Sequence, residues 1–344
     1  MGATSAYQDQ PDVSPTAVPQ GQSVVSDTTN VIVDIYVITV SSTMVALFGI
    51  ITNIINLVVF AKIGFKISMN LTLFALSSSD CLMGCCTIAY NICRISRIFP
   101  SDSIIDYKVP QRGFAIARFI FTDLSSIITI YLSIERCLCI TFPFTFKTMF
   151  TMKQTYIIFT FIFIFLLAKN IPLFWTMCTQ LKFDEEKHLN RYVVCETALY
   201  FELVKAHDIV SLVTIPFVCQ IAAGFCVVIL SRALRKSSSL RLAVKTSSKH
   251  TSAKVDSLSV KEKRPVKMIL LLAVLYVPTS VPGFTLGWVR IMYPQIFQWL
   301  ASGAFNLYTI NNLCTILSNI HGSVTIFVYI TFNPGYRQFL EAFI

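Results

Sequence analysis

The run YIIFTFIFIFLLAKNIPLFW, residues 156–175, decides the fold. A helix rises about 1.5 Å per residue, so a run of roughly 20 apolar residues spans the hydrocarbon core of a bilayer. Backbone groups in lipid must be satisfied within the segment, so such a run reads as a helix and not as an open strand. Six further apolar runs lie around it, at about 35–60, 71–92, 114–140, 209–230, 268–288 and 303–331. The chain therefore reads as an all-α membrane protein. Its expected form is a seven-transmembrane helix bundle with a short amphipathic helix on the inner membrane surface.

Composition agrees. Only 13% of the 344 residues are charged and 54% are hydrophobic, where a soluble domain carries about a quarter charged residues. Seven spans leave little room for a soluble domain. The expected division is a disordered outer head at 1–34, a seven-helix domain at 35–331 with a basic third inner loop at about 232–267, and the surface helix at 332–344. The net charge of +10 is unevenly spread. The basic loop holds eleven Lys or Arg against Asp256 and Glu262, while the head holds four Asp and no Lys or Arg. The positive-inside rule puts the loop in the cytoplasm and the N-terminus outside a multi-pass plasma-membrane protein. The loop reads either as a linker held near anionic lipid headgroups or as a docking surface for a cytoplasmic partner. No folded basic platform with interleaved aromatics is visible, which argues against nucleic acid. The first thirty residues lack the basic start and apolar core of a signal peptide, so the first span is expected to serve as signal anchor.

Of eleven cysteines, Cys93, Cys178 and Cys195 fall near or beyond the outer surface. One disulfide is expected among them, with Cys195 as a member and its partner left open. The segment 177–201 reads as an outer loop.

The third span ends Ser133-Ile134-Glu135-Arg136-Cys137-Leu138-Cys139-Ile140-Thr141-Phe142-Pro143. An isolated Arg at a helix end can snorkel to water, but that does not account for the whole run. The acid–Arg pair followed by Pro143 resembles the (Asp/Glu)-Arg-Tyr…Pro motif of rhodopsin-like (class A) G-protein-coupled receptors. Other landmarks fall in register with it: Asn53 in the first span, Leu76 to Asp80 in the second, Pro216 in the fifth, Pro278 in the sixth, Tyr329 in the seventh and Tyr336-Arg337 beyond it. The strings 49–56, 76–80 and 135–140 look like the molluscan set of chemosensory or neuropeptide-like receptors. The chain departs from the pattern where Gln111 replaces the usual Cys, Tyr276 the sixth-span Trp, Thr325-Ile326 the Asn-Pro pair and Gly224 the fifth-span Tyr.

The resemblance implies a receptor that binds an extracellular ligand and activates a heterotrimeric G protein. Glu135, Arg136 and Pro143 would serve coupling. Asn53, Asp80, Ser125, Pro216, Tyr276, Pro278 and Tyr329 would form the polar core and switch. An intramembrane acid is a functional candidate by default, and in the resembled family Asp80 with Ser125 would bind an allosteric sodium ion, His321 and Thr325 lying close. The alternative is a polar knot with Asn53 that only packs helices. No other cofactor is implied.

Arg118 takes the place where amine receptors carry Asp. Its fork suits a carboxylate, a sulfate or a peptide C-terminus, which makes a peptide or small acidic molecule the expected ligand. Alternatively Arg118 pairs internally with Asp123 or Glu202, or snorkels outward. Tyr276, Trp288, Arg290, Trp299, Asn306 and Tyr308 are weaker pocket-lining candidates. A rival reading is a polytopic transporter or channel, although internal repeats and paired broken helices are not visible. An enzyme is not expected, because His188, His207, His250 and His321 are scattered and no nucleophile motif accompanies them.

Overall fold

The computed structural model describes residues 37–65, 67–96, 104–142, 149–184, 189–195, 197–246, 260–293 and 307–342, with side chains at all of these except 184, 237–262 and 307–309. The head at 1–34, the middle of the basic loop, Pro143, Trp299, Asn306 and the side chain of Tyr308 lie outside the described residues.

Seven helices among the described residues are long and apolar enough to cross a membrane. They are α1 (Val40–Ile63), α2 (Ser68–Ile95), α3 (Lys108–Thr141), α4 (Met152–Trp175), α5, α6 (Val260–Met292) and α7 (Leu307–Phe332). α5 runs without a break through Ala198–Asp208, a π-helical turn Ile209–Thr214 and Ile215–Thr246. A short α8 (Pro334–Glu341) follows α7. The protein is a seven-transmembrane, all-α bundle, to which one antiparallel hairpin is added, β1 (Cys178–Asp184) with β2 (Leu189–Cys195).

Burial runs opposite to a soluble fold. Trp175 is 87% exposed and Phe161 71%, whereas Asn56, Thr87 and Ser133 are fully buried. Lipid is as apolar as Leu, so burying Leu between helices gains little there, and small and hydrogen-bonding side chains fill the interior instead.

The element ends have local causes. Thr151 and Gln154 form a reciprocal capping box that starts α4, with Thr151 N–H donating to Gln154 Oε1 at 3.1 Å and Gln154 N–H to Thr151 Oγ1 at 3.3 Å. Gly64, at φ 82°, ends α1 and donates its N–H to Phe60 O at 3.0 Å, a backbone conformation that a side chain would strain. Asn333 accepts from Tyr336 N–H at 3.1 Å and Pro334 opens α8.

One expectation gains detail and two need correction. The segment read as an outer loop contains the hairpin, tied by Cys178–Cys195, so Cys178 is the partner of Cys195 and Cys93 is a free thiol. Polar strands of seven residues carry no hydropathy signal, and so read as loop. The fifth helix begins at Ala198 and not near 209, capped by Thr197 Oγ1 accepting from Tyr200 N–H at 3.1 Å. Glu202, Lys205, His207 and Asp208 had masked that first stretch. Finally, α5 reaches Thr246 and α6 starts at Val260, so both ends of the basic loop are helical.

At the end of the bundle away from the hairpin, the apolar residues Phe60, Leu132, Leu230, Ile269, Leu272 and Tyr329 make one buried cluster that joins α1, α3, α5, α6 and α7. Phe60, Tyr329 and Tyr336 meet ring to ring, with centroids 5.3, 5.4 and 5.7 Å apart. That cluster closes this end.

Candidate functional site

A cavity with about 1170 Å³ of empty space, its mouth included, opens in the hairpin half of the bundle. It lies between α3, α5, α6 and α7, with Arg118 and Arg290 toward the hairpin and Ser125, Tyr276 and His321 at its depth. Its walls alternate apolar groups such as Phe119, Leu212 and Phe284 with hydroxyls such as Thr122, Thr279 and Ser318. This mixture of apolar wall and few placed polar groups is characteristic of small-molecule sites.

Arg118 does not reach for solvent. Its guanidinium carbon lies 5.0 Å from the Tyr90 ring centroid and 5.7 Å from that of Phe119, which is cation–π range. Nη1 is buried without a hydrogen-bond partner among the described residues. Neither expected internal partner is free. Asp123 accepts from Lys169 Nζ at 2.6 Å, and Glu202 from Lys205 Nζ at 2.7 Å.

The Asp123–Lys169 contact belongs to a buried network that crosses four helices. Ser211 Oγ donates to Asp123 Oδ2 at 3.0 Å, Lys169 Nζ also donates to Ser211, and Ser211 Oγ lies 3.2 Å from His207 Nε2. His207 Nδ1 is 3.5 Å from Asp208 Oδ1, and Arg290 Nη1 is 3.0 Å from Asp208 Oδ2. Ser211 lies within the π turn. Thr214 Oγ1 bonds back five residues to Ile209 O at 2.9 Å, and the widened turn changes the helical phase so that Ser211 and Leu212 both face the cavity. Gly287 of α6 lets this turn approach, since a Cβ there would lie 2.7 Å from Leu212 Cβ and 2.8 Å from its carbonyl oxygen.

Below the cavity sits the polar core. Ser125 Oγ donates to Asp80 Oδ1 at 2.5 Å, and Asp80 Oδ2 is buried without a hydrogen-bond partner among the described residues. Gly322 packs directly on this carboxylate, its virtual Cβ 2.8 Å from Asp80 Cγ. Asn53 Nδ2 donates to Gly49 O at 2.9 Å and to Gly322 O at 3.3 Å. Asn56 Nδ2 donates to Asn53 Oδ1 at 3.2 Å, and Tyr336 Oη to Asn56 Oδ1 at 2.6 Å. One chain of hydrogen bonds thus ties α8 to α1 and on to α7 beside Asp80.

At the closed end, Glu135 is fully buried and accepts from Ser68 Oγ at 2.6 Å, while Arg136 Nη2 stands 3.7 Å from the same carboxylate oxygen. The Arg136 side chain is 13% exposed, so it faces the bundle and not the lipid. Arg118 and Arg136 lie on one helix, roughly 27 Å apart along its axis at 1.5 Å per residue.

The structure thus gathers Arg118, Ser125, Pro216, Tyr276 and Arg290 around one cavity and puts Asp80 against Ser125. Pro278 is interior to α6, and Tyr329 lies in the closing cluster. Trp288 is a correction: it is 37% exposed, packs edge-on to Phe284 at 6.2 Å and does not line the cavity. Sequence reasoning missed the network of Asp123, Lys169, Ser211, His207 and Asp208. One signal was present, the single Lys in the run 156–175, since an ionisable group at that depth needs a buried partner.

A family model described as serpentine type 7TM GPCR chemoreceptor Srx matches residues 43–254, from α1 through α5 and beyond. No curated protein matches the chain.

Proposed function

Since the chain belongs to the Srx family of serpentine-type seven-transmembrane G-protein-coupled chemoreceptors, we propose that it binds an extracellular chemosensory ligand in the cavity of the hairpin half. Binding there activates a heterotrimeric G protein at the opposite end. In this reading the protein sits in the plasma membrane with its N-terminus and hairpin outside. The neuropeptide alternative for the ligand uses the same cavity.

The observation that carries the reading is the state of Arg136. It is held beside a fully buried Glu135 at the end of the bundle that the apolar cluster of α3, α5, α6 and α7 closes. A ligand that favours a packing in which α6 swings away from this cluster would uncover Arg136 for the transducer. The ligand shifts that balance only by its differential affinity for the two packings. Pro278 and Pro282 lie inside α6 on the cavity half. Each removes a backbone donor, which supplies the place where the helix can bend.

A rhodopsin-like arrangement is supported by the meeting of Asp80, Ser125 and the Asn53–Gly322 contact in one interior knot. The finer likeness to molluscan receptors rests on the strings 49–56, 76–80 and 135–140 alone. For the sodium ion, the residues fit in donor chemistry. Asp80 Oδ2 is a buried carboxylate oxygen without a hydrogen-bond partner among the described residues and Ser125 supplies a hydroxyl, both oxygen ligands suited to a hard cation. A bound ion would neutralise the carboxylate and hold α2 to α3.

The test is nucleotide exchange on purified G proteins by the reconstituted receptor. Arg136→Ala is expected to reach the cell surface in normal amount and to lose exchange. Full exchange by that variant overturns the assignment.

A further inference from the structure

Resting on the reading of the cavity as a ligand site, we propose that its ligand is a small organic acid recognised at two points. A carboxylate or sulfate head would meet Arg118, and a hydroxyl or carbonyl on the far side of an apolar body would meet His321.

The first point follows from charge accounting. Among the described residues Arg118 and Arg290 line the cavity, and Lys169 bonds to Asp123 and Ser211 of its wall. Lys169 is matched by Asp123 at 2.6 Å and Arg290 by Asp208 at 3.0 Å. Asp123 is further occupied by Ser211 and Asp208 is flanked by His207. Glu202 is paired with Lys205. No carboxylate among the described residues meets Arg118, whose contacts are the faces of Tyr90 and Phe119. Ring faces offset part of the cost of burying a guanidinium, but they leave its N–H donors unmet. Nη1 is such a donor, and Arg118 lines the cavity. A carboxylate or sulfate supplies the missing acceptors by presenting two oxygens to the guanidinium.

The second point is independent. His321 is 7% exposed and lines the same cavity, and both of its ring nitrogens are buried without a hydrogen-bond partner among the described residues. Its ring stands edge-on to Tyr276 at 5.8 Å, which orients it without using either nitrogen. A neutral imidazole offers one donor and one acceptor. Leaving both unmet in the interior is costly, so a polar ligand group at this depth gains what the protein itself leaves unspent. The wall of the same cavity carries Leu212, Phe284 and Leu286, which suits an apolar body. The preference for an acid over its neutral analogue then comes from Arg118, and the preference for a hydroxylated acid over its deoxy analogue from His321.

The test is equilibrium binding to the full-length receptor in nanodiscs, using para-hydroxyphenylacetate, its primary amide and phenylacetate as probes. The expected result is saturable binding of the hydroxylated acid, with the amide weaker by roughly ten- to a hundredfold. Arg118→Gln is expected to bring the acid down to the level of the amide, Arg118→Lys to retain part of the difference, and His321→Phe to erase the advantage over phenylacetate. Absence of saturable acid binding, equal affinity for acid and amide, or indifference of the acid to Arg118→Gln in a receptor that keeps its wild-type melting profile overturns the proposal. Where Arg118→Gln fails to fold, the Arg118→Lys variant and the acid-to-amide ratio of the wild type decide it. No G protein enters the measurement, so its failure leaves the signalling reading standing. Failure of nucleotide exchange in turn leaves this result intact.

Discussion

Lys169 Nζ lies 2.6 Å from Asp123 Oδ2, with both side chains below 10% exposure. The pair staples α4 to α3 in the hairpin half of the bundle, and Ser211 brings α5 onto the same carboxylate. Removing one partner leaves the other charged and buried. Lys169→Met is therefore expected to cost about 3–5 kcal/mol, while the double replacement Lys169→Met with Asp123→Leu recovers most of that loss. Thermal unfolding in detergent checks it, and an additive loss in the double variant would deny the coupling.

Cys178 and Cys195 close a loop around the hairpin, with 17 residues of sequence separation. Cys195→Ser is expected to destabilise the protein by about 2–4 kcal/mol through the freed unfolded chain. Cys93→Ser, at a free thiol, is expected to be neutral. Melting with and without reductant separates them, because the reductant should act on the wild type and not on Cys195→Ser.

Gly287 faces the backbone of Leu212, 2.8 Å from where a Cβ would stand to the carbonyl oxygen. Backbone cannot rotate away as a side chain can, so Gly287→Ala is expected to push α6 off the π turn at a cost of about 1–3 kcal/mol. Gly224 has nothing within 4 Å of its virtual Cβ. Gly224→Ala is expected to stabilise α5 by about 0.5–1 kcal/mol. Equal melting points for the two variants would contradict the close approach.

If Asp80 holds sodium with Ser125, exchanging choline chloride for sodium chloride at constant ionic strength raises the melting point of the wild type. Asp80→Asn removes that rise. A sodium effect that persists in Asp80→Asn places the ion elsewhere.

Tyr336 Oη donates to Asn56 Oδ1 at 2.6 Å, a polar contact by which α8 reaches α1. Tyr336→Phe is expected to cost about 0.5–1.5 kcal/mol and to speed backbone amide exchange across 334–341. Unchanged exchange would mean that ring packing on Phe60 and Tyr329 alone holds α8.

The sequence by itself determined what depends on sums over neighbouring residues. Hydropathy over about 20 positions marks a membrane helix wherever it falls, so the seven spans were legible. The stop at Asn333-Pro334 was legible from local backbone chemistry, and the family resemblance pointed to the residues of the Asp80–Ser125 and Glu135–Arg136 contacts. Tertiary structure decided whatever depends on the rotation of one helix against another. The partners Asp123, Lys169, Ser211, His207 and Asp208 come from three helices, and Ser211 lies in a π turn of α5 that sequence periodicity does not announce. The same dependence on rotation moved Trp288 off the cavity, chose Cys178 over Cys93, and left Arg118 and His321 in one chamber with their polar atoms unmet. Side-chain meetings between distant segments are set by packing energy summed over the whole bundle, and no window of sequence contains that sum.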